Sequence, residues 1–534
     1  MRPGIDPFVP DDPWLNCHEN FQHHFSPNAS WQPNHSGGGI SDSDLYKRAT
    51  QNLQWAIGDA IDNNHTLRAI GANWSFSECA MCGGGMVQTK ELDLIFNIDD
   101  PLVVPAYLTN GRKSSNLRFA ECGVQLARLS RNLEIETNPP QSMSACGGSN
   151  GQTVAGATST GTHGAALFTG AVHDTIVGIH LITGRDTHVW LERESYPVAS
   201  DTFINWLGAT PMRNDDLFNA AVVSFGSFGI VHGIMLETEP LFLLKEYRIS
   251  DFVYSDELMS AFASLDFDKL KVLLPALPDS VPGHQLYHME INFNPYATVN
   301  GKSGGMYVFL FYKVPVPPGF VVDQSGTNTG PSPEFISFLK TILTKLSKLG
   351  NPGYKIIKNQ ISKEFDKNIR PATPTPKTIG SIFRETRFTG NIASFAFAVA
   401  TSDLPQAIKQ ILAEIATNAF AGACAVRFVK GTKATLGFTK FEHTCVLEMD
   451  GLDTKGNHQV FANVINRMNT NGIPCAIHWG KLNDPLSPDF VTTTYGADKV
   501  RSWKQSRESL LLPETRAVFT NDFMKKCGLD TPAT

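Results

Sequence analysis

The sequence predicts an α+β protein of two or three domains, and three observations lead to that fold class. Residues 41–242 mix short strand-like and helix-like runs around a glycine-rich stretch at 144–166. Residues 243–470 change to longer strands and amphipathic helices, a pattern that indicates an α+β domain with an antiparallel sheet flanked by helices. The length of 534 residues exceeds what one hydrophobic core usually holds.

The first part of the chain opens with an expected irregular extension at 1–40, rich in Pro, Asn and His. Ser41 and Ser43 are candidate N-caps for a helix that ends near Asn63, and a short strand, Leu67–Ile70, follows it. Alternating and apolar runs then predict strands at 92–98, 117–121, 175–183 and 188–191, and a helix at 125–133.

The second part is predicted to run from 243 to 470, before a C-terminal segment at 471–534. Pro- and Gly-rich stretches at 315–333 and 371–376 predict surface breaks. Periodicity predicts strands at 287–293, 306–312, 393–400, 425–429 and 444–449, and helices at 336–349 and 404–417.

The composition narrows the function classes. A hydrophobic content of 42% with 18% charged residues is typical of a soluble globular protein, and a net charge of −6 gives no electrostatic footprint for nucleic acid. The chain has no run of 18 apolar residues, so no membrane span is predicted. The lone Cys79-x-x-Cys82 does not predict a metal site, and the chain has no H-E-x-x-H motif. The first 17 residues lack a secretory pattern, so we expect nine reduced cysteines in a cytoplasmic protein.

The stretch 144–166 carries the strongest chemical signal. Six of its 23 residues are Gly and none is charged. Glycine permits positive φ and close backbone approach, and successive free N–H groups bind anions, so the stretch indicates a phosphate or pyrophosphate cradle or else a flexible surface loop. Gly147–Gly151 also fits G-x-S-x-G, but its flanks lack the strand and helix of a nucleophile elbow, which disfavours a serine hydrolase.

Five segments in a fixed order carry a resemblance to a known family: Arg68–Phe76, Thr153–Gly164, Ser224–Val231, His478–Lys481 and Phe519–Phe523. They resemble the vanillyl-alcohol-oxidase superfamily of flavoproteins, specifically its sugar-lactone and alditol oxidase branch. The resemblance implies a two-part FAD-binding domain of the vanillyl-alcohol oxidase type at 41–242. It also implies a substrate-binding cap domain at 243–470 and a C-terminal segment that returns to the FAD domain.

The resemblance also implies which residues hold the cofactor. Trp74 occupies the position at which this family often carries a His bonded to the flavin, and Trp cannot form that bond, so we expect non-covalent FAD. His163 is expected to act through its backbone, and Cys146 is considered as a thiol near the flavin. The expected FAD-binding residues are Gly71, Ala72, Asn73, Trp74, Ser75, Cys146, Gly147, Gly148, Ser149, Thr153, Gly156, Thr160, Gly161, Thr162, His163, Gly164, Gly229, Ile230, Val231 and Asn521.

The candidate catalytic residues lie on two strands and in the C-terminal segment. By resemblance, Ala425-Val426-Arg427 matches a Glu-x-Arg strand, with Arg427 as the cation and Ala425 in place of the acid. Glu448 and Asp450 alternate on the next strand and therefore share a face, and an acid there is costly unless it is paired. We expect Glu448 near Arg427 as base or substrate anchor. Lys481 and His478 match residues near the substrate in the family.

The function expected from this resemblance is FAD-dependent oxidation of a CH–OH group by hydride transfer to flavin N5. Gly147 lies close to where a small residue in this branch leaves O2 a path, which favours an oxidase that releases H2O2. A dehydrogenase with another acceptor stays open, and Ala425 also leaves open a flavin-binding protein without turnover. The insertions between 243 and 390 favour a small-molecule substrate that is larger or less polar than an alditol.

Overall fold

A computed structural model of the chain describes residues 2–37, 39–109, 111–250, 252–274, 277–278, 284–299, 305–323, 331–346, 353–368, 371–372, 375–384 and 389–533. Within these ranges the strands form a four-stranded sheet, two seven-stranded sheets and a two-stranded hairpin. This is the α+β architecture that the sequence predicts, with an antiparallel sheet in the second part of the chain.

The first part of the chain contains thirteen strands and six α-helices within the described ranges. The strands are β1 (Ile5–Pro7), β2 (Trp14–Leu15), β3 (Gln22–His23), β4 (Trp31–Pro33), β5 (Leu67–Ile70), β6 (Gly85–Gln88), β7 (Ile95–Asn97), β8 (Leu117–Glu121), β9 (Gln141–Met143), β10 (Ile176–Ile182), β11 (His188–Glu192), β12 (Thr210–Arg213) and β13 (Ile230–Pro240). The helices are α1 (Asp42–Asp62), α2 (Pro105–Thr109), α3 (Leu126–Arg131), α4 (Val154–Thr160), α5 (Asp201–Leu207) and α6 (Asp215–Ala221).

The first 40 residues differ from the expected irregular extension. β1 and β4 form the edge of the four-stranded sheet β1-β4-β6-β5, and β2 pairs with β3 in a hairpin. The Trp31 ring packs edge-on against Trp55 of α1, with ring centroids 4.7 Å apart. Strands of two or three residues are too short to show a hydrophobic period, which is why composition alone indicated a loop.

The larger sheet of the first part runs in the order β12-β11-β10-β13-β8-β7, and β9 also pairs with β13. Its pairs are antiparallel except for β11 with β12. α1 begins at the expected N-cap, because the Ser41 hydroxyl accepts a hydrogen bond from the Asp44 N–H at 3.2 Å. The helix expected at 125–133 divides into α3 and a π-helical turn, Asn132–Glu136.

The second part adds β14 (Leu243–Ile249), α7 (Asp256–Ala263), α8 (Phe267–Leu273), β15 (Gln285–Phe293), α9 (Pro295–Val299), β16 (Met306–Val314), α10 (Pro331–Leu346), α11 (Tyr354–Phe365), α12 (Ile379–Ile382), β17 (Ile392–Ala400), α13 (Leu404–Ile415), β18 (Gly422–Lys430), β19 (His443–Leu452) and α14 (Lys455–Thr470). α10 begins inside the predicted surface break 315–333, and residues 347–349 of the predicted helix lie outside the described ranges.

The sheet of the second part has the order β14-β16-β15-β18-β19-β17-β20, where β20 is Ala476–Ile477. Its strand pairs are antiparallel throughout. One face is apolar and covered by helices, as where Phe395 stacks on Phe461 of α14 at 4.7 Å. The opposite face carries polar side chains, which positions them for the site described below.

The C-terminal segment belongs to both parts of the molecule. It begins with β20 at the edge of the second sheet and continues into α15 (Pro488–Tyr495), α16 (Ala497–Leu510), α17 (Pro513–Val518) and α18 (Asp522–Lys526). α16 contacts α6, and α17 contacts α1. None of the helices within the described ranges combines the length and apolar character that a bilayer crossing needs.

Candidate functional site

A cavity lies between the loops of the first part and the polar face of the second sheet. It encloses about 2020 Å³ when the space in its open mouth is counted. Its lining combines loops of the first part of the chain with strands of the second part. Two of its walls are named here: the cradle (segments 71–75 and 147–164 together with Gly229, whose inner residues line the cavity) and the sheet face (Glu290, Ser394, Arg427, Glu448, Asp450).

The cradle depends on glycine where backbones approach closely. A Cβ at Gly71 would lie 2.1 Å from Thr153 Oγ1, and a Cβ at Gly164 would lie 2.4 Å from the Cys146 carbonyl oxygen. Gly229 has φ +107°, and a Cβ there would lie 2.4 Å from the Ile182 carbonyl oxygen. No other residue fits these three positions without displacing main chain or Thr153.

The cradle also offers unpaired polar atoms. Asn73 Oδ1 and Gln152 Oε1 are buried without a hydrogen-bond partner in the described chain, and both residues line the cavity. Asn73 adopts the left-handed conformation with φ +61°. Buried polar atoms are usually hydrogen-bonded, so these acceptors point to a polar ligand that completes them. An uncharged, glycine-rich wall with open polar groups fits a dinucleotide held largely by main chain.

Fifteen of the twenty predicted FAD-binding residues line the cavity, and so do all five predicted catalytic residues. The fifteen are Gly71, Ala72, Asn73, Trp74, Ser75, Gly147, Gly148, Ser149, Thr153, Gly156, Thr160, Thr162, His163, Gly229 and Val231. The other five lie behind the wall: Cys146, Gly161, Gly164, Ile230 and Asn521.

Each of those five has a structural reason for its position. Ile230, the first residue of β13, is fully buried because its side chain points away from the face on which its neighbours Gly229 and Val231 line the cavity. The Asn521 amide donates to the carbonyl oxygens of Cys79 and Met81 at 2.9 and 2.8 Å, so it attaches α18 to a loop that itself lines the cavity.

The remaining three also pack into the protein. Gly161 is the left-handed C-cap of α4, with φ +77°. The Cys146 thiol donates to the Gly147 carbonyl oxygen at 3.2 Å, and burial raises the pKa of that thiol. Gly164 lies directly against Cys146.

The sheet face places Arg427 between two carboxylates. Arg427 Nε lies 3.0 Å from Glu290 Oε2, and Arg427 Nη2 lies 3.2 Å from Glu448 Oε2. Glu290 on β15 is the direct cross-strand partner of Arg427 on β18. Ala425 is likewise the cross-strand partner of Glu448 on β19. Glu448 therefore lies directly beside Ala425 on the neighbouring strand.

Burial and charge fix the protonation states on this face. Burial raises the pKa of Glu290, but the Arg427 guanidinium and His288 outweigh it and hold that pKa at about 2. For Glu448 the attraction of Arg427, Lys481 and His163 likewise outweighs burial, and its pKa is lowered. The two acids raise the pKa of Arg427 against the effect of burial. The mutual attraction therefore favours the ionised form of all three groups in this Glu–Arg–Glu triad.

Asp450 behaves in the opposite way. Burial raises its pKa to about 6, partly offset by Lys481 and by a hydrogen bond from Ser394. Lys481 Nζ donates to Ser394 Oγ, and Ser394 Oγ donates to Asp450 Oδ1. Lys481 Nζ also lies 3.9 Å from Glu448 Oε1, so the amine stands between the triad and Asp450.

Burial disfavours the charged form of the two histidines at this end of the cavity, and the pKa of each is lowered. His163 Nδ1 contacts the Gly164 carbonyl oxygen at 2.9 Å, and its Nε2 lies 3.9 Å from Glu448 Oε1. Burial lowers the pKa of His163 to about 4. His478 Nδ1 accepts a hydrogen bond from the Gly480 N–H at 2.9 Å, and burial lowers its pKa well below the usual value. His478 thus holds the turn that carries Lys481.

Several lining residues were not predicted from the sequence. His288, Glu290 and Asn292 lie two residues apart on β15 and therefore share a face. These polar residues in an otherwise apolar strand are the sequence signal that could have predicted a site here. Ser394 in the apolar run of β17 gave none. The residues missed are Trp14, Asn16, His18, Phe21, Glu290, Asn292, Phe335, Ile336, Leu339, Ile392 and Ser394, among others.

The N-terminal hairpin region closes one side of the cavity next to Trp74. The His18 ring stacks on Phe76 at 4.1 Å and meets Trp74 edge-on at 5.4 Å. The Cys17 N–H donates to the Asn73 carbonyl oxygen at 2.8 Å. These contacts hold Trp74 at the cavity wall. The family that the sequence resembles often carries a His at this position.

Comparison with known proteins identifies the class of the fold. Residues 45–192 match the family described as FAD binding domain. The chain aligns over 96% of its length, and over 96% of the other chain, with cholesterol oxidase from B. sterolicum, at a TM-score of 0.65 and 13% identity. Residues 45–192 are therefore similar to an FAD-binding domain, and the chain has the α+β fold of vanillyl-alcohol-oxidase-type flavoproteins.

Two curated relatives match part of this chain in amino-acid sequence. The chain is 30% identical over 182 residues to a D-arabinono-1,4-lactone oxidase from Candida glabrata, covering 34% of this chain and 29% of the relative. It is 27% identical over 191 residues to an L-gulono-1,4-lactone dehydrogenase from Mycobacterium tuberculosis, covering 36% of each. The match thus spans only about a third of each relative's length.

Proposed function

We propose that this protein is an FAD-dependent oxidoreductase that oxidises a CH–OH group of a small molecule and passes the electrons to O2. One observation carries the proposal: an uncharged cradle faces an ionised Glu–Arg–Glu triad across one cavity. The cradle suits a dinucleotide, whereas the triad suits a hydroxylated substrate. Each wall alone has other uses, but their juxtaposition is what a flavin-dependent alcohol oxidation requires.

FAD bound in the cradle supplies the acceptor for the hydride. On the protein side, Asn73 and Gln152 offer open acceptors, and the glycines bring main chain close to the cofactor. We propose that the cofactor is held without a covalent bond. Trp74 has no nucleophile to offer, and the Cys146 thiol lies behind the wall with a raised pKa.

The triad is proposed to anchor the substrate hydroxyl. Arg427 donates hydrogen bonds, and Glu448 accepts one, from adjacent strands on the same face. Because the pKa of Glu448 is lowered, its carboxylate is a good hydrogen-bond acceptor but a weak base. Ala425 then leaves room beside Glu448 for the reacting group, and the protein does not need an acid at that position.

The substrate is proposed to combine a polar head with a less polar body. Phe335, Ile336 and Leu339 of α10 line the cavity together with Ile392 at the start of β17. Those four side chains offer apolar contact area where a sugar lactone would present hydroxyls. The lactones named for the relatives are the first compounds to test, and apolar secondary alcohols are the second.

O2 is proposed as the electron acceptor on the basis of Gly147. This residue lines the cavity, and a Cβ there would lie 3.0 Å from Thr162 Cγ2, so a side chain would close the space beside the cradle. A dehydrogenase that uses another acceptor is the alternative, since the two relatives bear the names oxidase and dehydrogenase.

The test begins with the visible spectrum of the purified protein. We expect a flavin spectrum whose colour stays in solution after acid precipitation, because the cofactor is not covalently bound. The flavin is then titrated anaerobically with D-arabinono-1,4-lactone, L-gulono-1,4-lactone and a series of apolar secondary alcohols. Bleaching by one of them, followed by rapid recolouring in air with release of H2O2, is the expected result.

Other outcomes have definite meanings. A colourless protein that cannot take up FAD contradicts the whole proposal. A bleached flavin that air recolours only slowly identifies a dehydrogenase. A coloured protein that no alcohol bleaches identifies a flavin-binding protein without this turnover. Colour that precipitates with the protein contradicts non-covalent binding alone.

A further inference from the structure

The cavity holds a chain of hydrogen bonds that the substrate-anchoring role does not explain. Lys481 Nζ donates to Ser394 Oγ, which donates to Asp450 Oδ1, and all three residues line the cavity. The three come from the loop after β20, from β17 and from β19. Ser394 and Asp450 are direct cross-strand partners, so the sheet register fixes the distance between them.

We infer that Lys481, Ser394 and Asp450 form a proton relay that removes the proton of the substrate hydroxyl during oxidation. This inference rests on the proposed function. Lys481 is the catalytic member, since it alone extends toward Glu448, whose Oε1 is 3.9 Å from Lys481 Nζ. Ser394 and Asp450 act through Lys481 and are positioning residues.

The proton movement balances without a further reactant. As the C–H hydride leaves for the oxidant FAD, the hydroxyl proton passes to Lys481 Nζ. Lys481 at the same time gives one of its own protons to Ser394 Oγ, whose proton passes to Asp450 Oδ1. The substrate becomes a carbonyl compound, Lys481 stays an ammonium, Ser394 stays a hydroxyl, and Asp450 becomes a neutral acid.

The other acids on the sheet face are poorly suited to this task. The pKa values of Glu290 and Glu448 are lowered by Arg427, so neither carboxylate takes up a proton near neutral pH. Burial lowers the pKa of His163, which makes it a weak base as well. Asp450 differs because burial brings its pKa to about 6, close to a working pH.

The surroundings of Asp450 comprise few charged groups in the described chain. Lys481, Glu448 and Arg427 act on it from the C-terminal loop, its own strand and β18, and the Ser394 hydroxyl faces it from β17. The Cys424 thiol on β18 also senses Asp450, and its pKa is raised by burial. Of these, Lys481 is the group linked to Asp450 by hydrogen bonds that pass through the Ser394 hydroxyl.

The first test measures the pKa of Asp450 without turnover. The carboxylic-acid C=O band of Asp450 is identified in the infrared spectrum of the holoprotein by its loss in Asp450→Asn. We expect this band to titrate near pH 6 in the wild type and at higher pH in Ser394→Ala and Lys481→Met, because both changes remove groups that stabilise the carboxylate. Ser394→Thr keeps the hydroxyl and serves as the control. An unchanged titration in both variants overturns the relay.

The second test measures anaerobic flavin reduction by stopped flow, with the alcohol that bleaches the wild type. We expect Ser394→Ala to lower the limiting reduction rate about 10- to 100-fold with little change in substrate affinity, and Ser394→Thr to restore it. The limb near pH 6 in the wild-type pH profile should disappear in Asp450→Asn. Wild-type rates and pH profile in Ser394→Ala overturn the relay, and the proposed function then stands.

A failure of the proposed function is distinguishable from a failure of the relay. If no alcohol bleaches the wild-type flavin, the proposed function is overturned, and the relay is overturned with it, whatever the infrared titration shows. If the wild type is bleached and the infrared titration of Asp450 depends on Ser394 and Lys481, both are supported.

Discussion

The two walls of the cavity solve the problem of a polar ligand in different ways. The cradle has no charged side chain and uses main chain brought close by glycine, as at Gly71 and Gly229. The sheet face uses charge, with Arg427 held between Glu290 and Glu448. The cradle is therefore sensitive to side-chain volume, whereas the sheet face is sensitive to charge balance. Substitutions at the two walls should therefore fail in different ways.

The largest effect is expected at the centre of the sheet face. Arg427→Ala leaves two buried carboxylates without their counter-ion, and breaking a buried ion pair by removing one partner costs about 3–5 kcal/mol. We expect a fall of that size in the free energy of unfolding, measured by urea denaturation, and loss of flavin reduction by substrate. The flavin colour should persist, because the cradle is not altered.

A matched control is Lys409→Ala, which breaks an ion pair with Asp256 on the exposed surface of the same domain. Exposed pairs contribute at most about 1 kcal/mol, so this variant should unfold near the wild-type denaturant concentration. If Arg427→Ala instead loses FAD while remaining folded, Arg427 belongs to the cradle and the division between the two walls is wrong.

The next effect concerns two acids on the sheet face, Asp450 and Glu290, whose pKa values are shifted in opposite directions. The native pKa of Asp450 is raised to about 6, so the folded state binds its proton more tightly and stability falls as pH rises from about 4 to 6. Asp450→Asn removes that loss and should stabilise the protein by on the order of 2 kcal/mol at pH 7, but not below pH 4. Thermal melting across this pH range measures the difference.

Glu290→Gln is the counterpart, because the pKa of Glu290 is shifted in the opposite direction from that of Asp450. The native pKa of Glu290 is lowered to about 2, so its contribution to stability is present above its ordinary pKa and is lost as pH falls toward 2. We expect the variant to be less stable than the wild type at neutral pH and to approach it in acid. Parallel pH profiles for the two variants would contradict the assignment of charge on this face.

A smaller effect is expected in the cradle. Gly71→Ala places a Cβ 2.1 Å from Thr153 Oγ1, and overpacking of this kind costs about 1–3 kcal/mol. FAD affinity should fall about 10- to 100-fold, as measured by flavin fluorescence on dilution. Gly83→Ala is the control, because nothing lies within 4 Å of its Cβ and the variant should bind FAD normally.

The smallest effect is expected at Thr153, the residue that a Cβ at Gly71 would meet. Thr153→Ala removes Oγ1 and Cγ2, two of the three atoms that crowd Gly71, and also the N-cap bond to the Gly156 N–H, which contributes about 1 kcal/mol. Alone it should weaken FAD binding slightly, but combined with Gly71→Ala it should recover part of the lost affinity. Strictly additive losses would show that Gly71 is required for another reason.

The cradle was largely predictable from the sequence, and the sheet face only in part. The cradle signal is local, because glycines within 144–166 and after Leu67–Ile70 lie in continuous stretches of chain. Arg427, Glu448 and Asp450 followed from strand alternation together with the resemblance. Glu290 did not, because its pairing with Arg427 joins residues 137 positions apart, and sheet order cannot be derived from periodicity.

Other parts of the fold lacked a local signal as well. The long strand β13 has Gly and Thr among its apolar residues and is buried on both faces, so it shows no clean alternation. The strands of the N-terminal region are two or three residues long. Ser394 became interpretable only when the register of β17 against β19 placed it opposite Asp450.

The wall around Trp74 has a consequence for how the protein matures. Ser77 Oγ donates to the Trp479 carbonyl oxygen across 402 positions of sequence, and the Phe76 N–H donates to the Gly480 carbonyl oxygen at 2.8 Å. Those bonds cannot form on the ribosome until nearly the whole polypeptide has emerged. Contacts of such long range are slow to close. The first loop of the cradle is thus completed only after almost the whole chain has been synthesised.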